Sequence, residues 1–127
     1  MTELTKRRPK YLALHEIRLP LAGFASILHR VSGAGLFLML PVLLSLFGNS
    51  VGSPESYAAY KAVIGNIFVK LLLLGLLWAY LHHFCAGIRF LLLDMHVGIE
   101  KEAARSSSRL VLIVSLILTV TIGAKLW

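Results

Sequence analysis

Apolar residues gather in three long blocks, at about 22–47, 67–93 and 110–127, separated by polar, basic or turn-forming segments. A helix rising 1.5 Å per residue needs roughly 20 apolar residues to cross the ~30 Å hydrocarbon layer of a bilayer. The first block holds His29 and Arg30 near its start. Its uninterrupted part from Val31 to Phe47 is close to the minimum length for a span, and it carries Pro41, a predicted kink. The segment GNSVGSPES reads as a loop because Gly, Ser, Asn and Pro crowd it. The stretch from Tyr57 to Asn66 is either a helix lying in the interface or the start of the second span. That second block contains His82, His83 and Arg89, and a polar segment from Asp94 to Arg109 follows it. The third block is almost wholly aliphatic and ends at Trp127, a residue suited to the headgroup level. The pattern predicts an all-α integral membrane protein with three transmembrane helices, folded as a single domain over residues 1–127.

Composition agrees. Of the 127 residues, 57% are apolar and 15% charged, and the mean hydropathy is +0.79. A soluble domain carries roughly 45–50% apolar and about 25% charged residues. The formal charge of +7 would suit a nucleic-acid binder, but its placement argues for topology instead. Lys6, Arg7, Arg8, Lys10 and Arg18 precede the first block, and Lys101, Arg105 and Arg109 lie between the second and third. The first connection has only Lys61, with Lys70 at its edge, and the C-terminus only Lys125. The positive-inside rule then puts the N-terminus and second connection in the cytoplasm and the C-terminus outside. No apolar stretch followed by a small-residue cleavage site opens the chain, so insertion is expected to rely on the helices themselves. The single cysteine, Cys85, allows no internal disulfide and reads as a small apolar packing residue.

Ionisable groups inside a span each cost a few kcal/mol by insertion scales, so each needs a reason. His83 lies about ten residues, or ~15 Å, from the inner end of its block. A neutral imidazole there must bind haem iron or hydrogen-bond a neighbouring helix, and both readings are open. Gly87, one turn on, would let a flat macrocycle approach the backbone or simply pack. His82 points about 100° away from His83 and reads as a polar group at a helix interface. His29 is expected at the edge of the first span, ~10 Å or more from the level of His83, too far for both to serve one iron. Ser26 and Arg30 share a helix face with Gly33 and would offer donors to a carbonyl-bearing apolar molecule such as a quinone, unless Arg30 only snorkels to the interface. Arg89 and Asp94 are a possible structural ion pair.

These clusters, in this order, resemble the cytochrome b556 membrane-anchor family of bacterial succinate dehydrogenase, respiratory complex II. The likeness covers nearly the whole chain. RPKYLALHEIRLP is similar to the family's RP-x-x-L-x-L-x-x-I-R-x-P lead-in, SILHRVSGAGLF to its S-I-x-H-R-x-S-G signature, and HHFCAGIRFLLLDMHVG to its H-x-x-x-G-x-R-x-x-x-x-D signature. The resemblance implies half of a haem-binding helical bundle completed by a second anchor subunit. It implies His83 as an axial ligand of one haem b, with the other axial histidine from that second subunit. It further implies Ser26 and Arg30 at a ubiquinone site beside the iron–sulfur subunit, His29 and Arg30 near the haem propionates, and a flavoprotein subunit that oxidises succinate. Phe90 stands where some relatives place a histidine near the haem, so that contact is missing here. The implied location is the bacterial inner membrane, with a periplasmic C-terminus. A fumarate reductase anchor oxidising quinol and a cofactor-free structural anchor are the competing expectations. A small transporter is disfavoured, because the polar groups cluster in the cytoplasmic half.

Overall fold

The computed structural model describes residues 16–127. Lys6, Arg7, Arg8, Lys10 and most of the RPKYLALHEIRLP lead-in lie outside the described residues. Four helices follow in order: α1 (Leu21–Ser50), α2 (Pro54–Gly65), α3 (Ile67–Asp94) and α4 (Lys101–Leu126). Three of them, α1, α3 and α4, are long and apolar enough to cross a membrane, and no strand occurs among the described residues. This is an all-helical membrane protein.

α1 starts behind Pro20, whose fixed φ of −65° and extended ψ of 155° set the entry of the chain. It runs through Pro41 as one hydrogen-bonded helix. The segment from Tyr57 to Asn66 resolves as a separate helix rather than the beginning of the second span. Ser53 caps α2 by accepting from the Ser56 amide at 3.3 Å, with Pro54 in the first turn. Asn66 then breaks the run with an extended backbone and caps α3, its Oδ1 accepting from the Phe68 amide at 2.9 Å. The third span differs from expectation at its start, since α4 begins at Lys101 and carries its polar first turns as helix. Lys, Glu, Ala and Arg are strong helix formers, so polarity marks the membrane edge there without ending the helix.

α3 ends in a Schellman turn. The His96 amide donates to the Leu93 carbonyl and the Val97 amide to the Leu92 carbonyl, both at 2.9 Å. His96 itself takes the left-handed position at φ 61°, where glycine is the usual occupant.

α3 packs against both α1 and α4 and is the middle of the bundle. On α4 the buried positions are Ser108, Val111, Ser115, Thr119 and Gly123, nearly all one turn apart. Small residues at this spacing let two helix backbones approach, which is how membrane helices pack without a hydrophobic driving force. Each buried hydroxyl is satisfied within its own helix: Ser108 donates to the Ala104 carbonyl at 2.7 Å, Ser115 to Leu112 at 3.0 Å and Thr119 to Ser115 at 2.7 Å. In its most apolar stretch α1 has only 6% of its residues buried, so most of its surface is left for lipid or for other helices.

Candidate functional site

The histidines meet where α1 crosses α3. His29 lies eight residues into α1 and His83 eleven residues before the end of α3, so the two start within about 5 Å of the same level. Their rings stack with centroids 4.2 Å apart and planes 7° from parallel. The expectation that His29 sits ~10 Å or more away is therefore wrong. It placed His29 at the edge of the hydrocarbon, at the start of the uninterrupted apolar run, whereas α1 is already helical from Leu21 and carries His29 more than two turns inside the helix. Stacking still prevents the pair from holding one metal between them. Axial imidazoles meet iron along nitrogen lone pairs in their ring planes, and these two rings lie face to face.

His83 has a defined tautomer. Its Nδ1 stands 2.9 Å from the His29 carbonyl oxygen and 3.3 Å from the Ser32 hydroxyl, which itself donates to that carbonyl at 2.9 Å. A carbonyl oxygen can only accept, so Nδ1 carries a proton, and in the neutral ring Nε2 keeps its lone pair. Gly33 closes the same corner: a methyl group built on it would come within 2.6 Å of His83 Cε1. The residue is half-buried.

His82 is different. It is fully buried against Trp78, with ring centroids 5.3 Å apart, and neither of its nitrogens makes a well-formed hydrogen bond. A large planar group has no access to it. Placement at a helix interface is as the sequence suggests.

At Gly87 a methyl group would stand in ordinary contact with His29 Nε2, at 3.7 Å, and meet nothing else within 4 Å. Phe90 packs on the other side of His29 at 5.0 Å and receives the Arg89 guanidinium at 5.3 Å. Ser26 is half-buried and Arg30 exposed, one turn apart on α1. Arg89 and Asp94 form no ion pair. Five residues of helix set them ~140° apart. Arg89 turns into the α3–α4 seam, 6% exposed, donating from Nε to the Ser107 hydroxyl at 2.9 Å and from Nη2 to the Ala104 carbonyl at 3.3 Å. Asp94 is exposed. Beside Arg89 an apolar cavity of about 410 Å³ is lined by Cys85, Leu92, Val111 and neighbours.

Among the described residues no three His, Cys, Asp or Glu side chains gather to hold a metal ion by themselves. A single oriented imidazole with a bare lone pair suits instead a metal that arrives with most of its ligands, as porphyrin iron does. Sequence reasoning missed Ser32 and the role of Gly33, although both stand inside the SILHRVSGAGLF block. A hydroxyl in mid-helix usually bonds only its own backbone, so nothing local marks it as a partner for another helix.

Residues 4–122 match the family described as the succinate dehydrogenase/fumarate reductase transmembrane subunit. The chain belongs to that family. The succinate dehydrogenase cytochrome b556 subunit of Coxiella burnetii is 34% identical, over 98% of this chain and all of its own length. The subunit of the same name from Paracoccus denitrificans is 33% identical over 89% of this chain and 87% of its own. That of Rickettsia felis is 28% identical over 92% and 91%. A member of the succinate dehydrogenase/fumarate reductase transmembrane family works as a membrane subunit of a larger complex. That accounts for a three-span bundle that leaves most of α1 uncovered.

Proposed function

We propose that this chain is the haem b- and quinone-binding anchor of a bacterial succinate:ubiquinone oxidoreductase. The observation that carries the reading is His83, with Nδ1–H tied to the His29 carbonyl and Nε2 unspent. A metal-ligating histidine characteristically donates its second ring N–H to a carbonyl or carboxylate, which fixes the ring and raises its basicity. The b556 designation of the relatives supports the same assignment.

His83 would hold the iron of one haem b from this chain's side, with a second histidine supplied by the second membrane-anchor subunit. When bound, the haem supplies one-electron redox chemistry. Ser26 and Arg30 face the quinone from the inner end of α1. They donate hydrogen bonds to a quinone carbonyl oxygen and stabilise the negative charge that grows on it as electrons arrive from the iron–sulfur subunit. Arg30 and His29 also lie toward the haem carboxylates. The complex is completed by a flavoprotein subunit that oxidises succinate. The chain sits in the inner membrane with the first turns of α1 and α4 at the cytoplasmic face, where Arg18, Lys101, Arg105 and Arg109 gather.

The family also includes fumarate reductases. A haem midpoint potential measured with the native quinone decides the direction of electron flow. The central test is the reduced-minus-oxidised spectrum of the solubilised complex. The wild type shows b-type bands, and His83→Leu loses them while the chain still co-purifies with its partners. Absence of the bands in the wild type leaves a cofactor-free anchor, and their survival in the variant removes His83 as the haem ligand.

A further inference from the structure

Three positions on one face of α1 converge on the same imidazole: the carbonyl of His29, the hydroxyl of Ser32 and the bare Cα of Gly33. Their spacing of three and four residues stacks them on one helix face. Each does something separate. The carbonyl accepts from Nδ1–H at 2.9 Å. The hydroxyl, itself bonded to that carbonyl, sits 3.3 Å from Nδ1 as a second, longer acceptor. The glycine leaves the carbonyl open to a neighbouring helix, because any side chain at position 33 would occupy the space now filled by Cε1. A helix carbonyl is normally covered by its own side chains and is rarely available to an outside donor.

We infer that Ser32 and Gly33 are positioning residues. Together with the His29 carbonyl they form a seat on α1 that holds the His83 ring in its Nδ1–H tautomer and sets how strongly Nε2 donates to a metal. The inference rests on the haem reading above but assigns the control of the ligand to residues outside the iron's own coordination sphere. The physical consequence is electronic as well as steric. A ring whose N–H is well bonded is the more basic ligand and favours ferric iron. A ring pushed off its seat is the poorer donor, and the midpoint potential of the haem rises.

Three variants of the intact complex test this: Ser32→Ala, Ser32→Thr and Gly33→Ala. Haem content, ferric low-spin EPR and haem midpoint potential are the readouts. The g-values of a bis-histidine haem follow the relative orientation of its two imidazole planes, so they register rotation of His83 without reference to turnover. The expected result is graded. Ser32→Ala keeps its haem but shifts the g-values and raises the potential. Ser32→Thr, which restores the hydroxyl, returns both to wild type. Gly33→Ala gives the larger shift in the same direction and lowers haem content. Should Gly33→Ala fail to assemble, the Ser32 pair decides by itself. Wild-type g-values and potential in Ser32→Ala, or a threonine variant no better than the alanine one, overturn the seat while leaving the haem reading intact. A wild-type complex without b-type bands overturns both.

Discussion

The two sides of α3 are built on opposite principles. Toward α4, the seam is made of Ser108, Ser115, Thr119 and Gly123, with Arg89 bonded across to Ser107 and Ala104. Every hydroxyl there is used up locally, and the backbones simply close on one another. Toward α1, the seam holds two stacked imidazoles, one with a nitrogen lone pair left over, and a third histidine with no good partner at all. Placing polar groups in hydrocarbon is costly, and nature spends that cost where chemistry is done. One seam is closed on itself, and the other carries the proposed haem ligand.

That contrast can be broken experimentally. The largest effect belongs to the working side. Ser26→Ala and Arg30→Leu are each expected to slow quinone reduction by about 2.7–4 kcal/mol in activation free energy, the cost of losing a donor to a developing negative charge. Succinate oxidation with an artificial acceptor should stay at wild-type rate; equal loss of both activities would move these residues to the assembly side. On the holding side, Gly123→Leu should cost about 1–3 kcal/mol through overpacking, because even a methyl group at this position meets Leu74 Cδ1 at 2.7 Å. The measurement is thermal loss of the solubilised complex, and the haem spectrum of surviving complex should be unaltered. A spectral shift would show that the two seams are coupled. The smallest effect is at the end of α3. His96→Gly relieves a left-handed residue at φ 61° and should raise stability by no more than about 1 kcal/mol. A clear loss instead would mean the imidazole has a partner in the assembled complex.

The spans were legible because lipid demands long apolar runs, and that demand is written in composition as much as in order. His83 was legible too, since an ionisable group deep in such a run is conspicuous. What escaped was register. The first block begins within a residue of where α1 does, but nothing in it says how deep α1 sits against α3, and without that the levels of His29 and His83 cannot be compared. The Ser108–Gly123 stripe was hidden by its aliphatic neighbours, although a small residue at almost every fourth position was the available signal. Gly87 shows the limit most sharply. A glycine announces space but not what fills it, and among the described residues only His29 Nε2 comes within ordinary contact of it.

The turn after α3 has a consequence for biosynthesis. Only residues 95–100 separate α3 from α4, and the Schellman turn reverses the chain at once. Two antiparallel helices so closely tied, with the buried hydroxyls of α4 satisfied within that helix and the Arg89 guanidinium bonded across, can leave the insertion machinery as a finished hairpin. α1 packs against α3 about as extensively as α4 does, and there the polar contact is the histidine corner. Its docking onto α3 is the step at which the polypeptide first presents a prepared nitrogen.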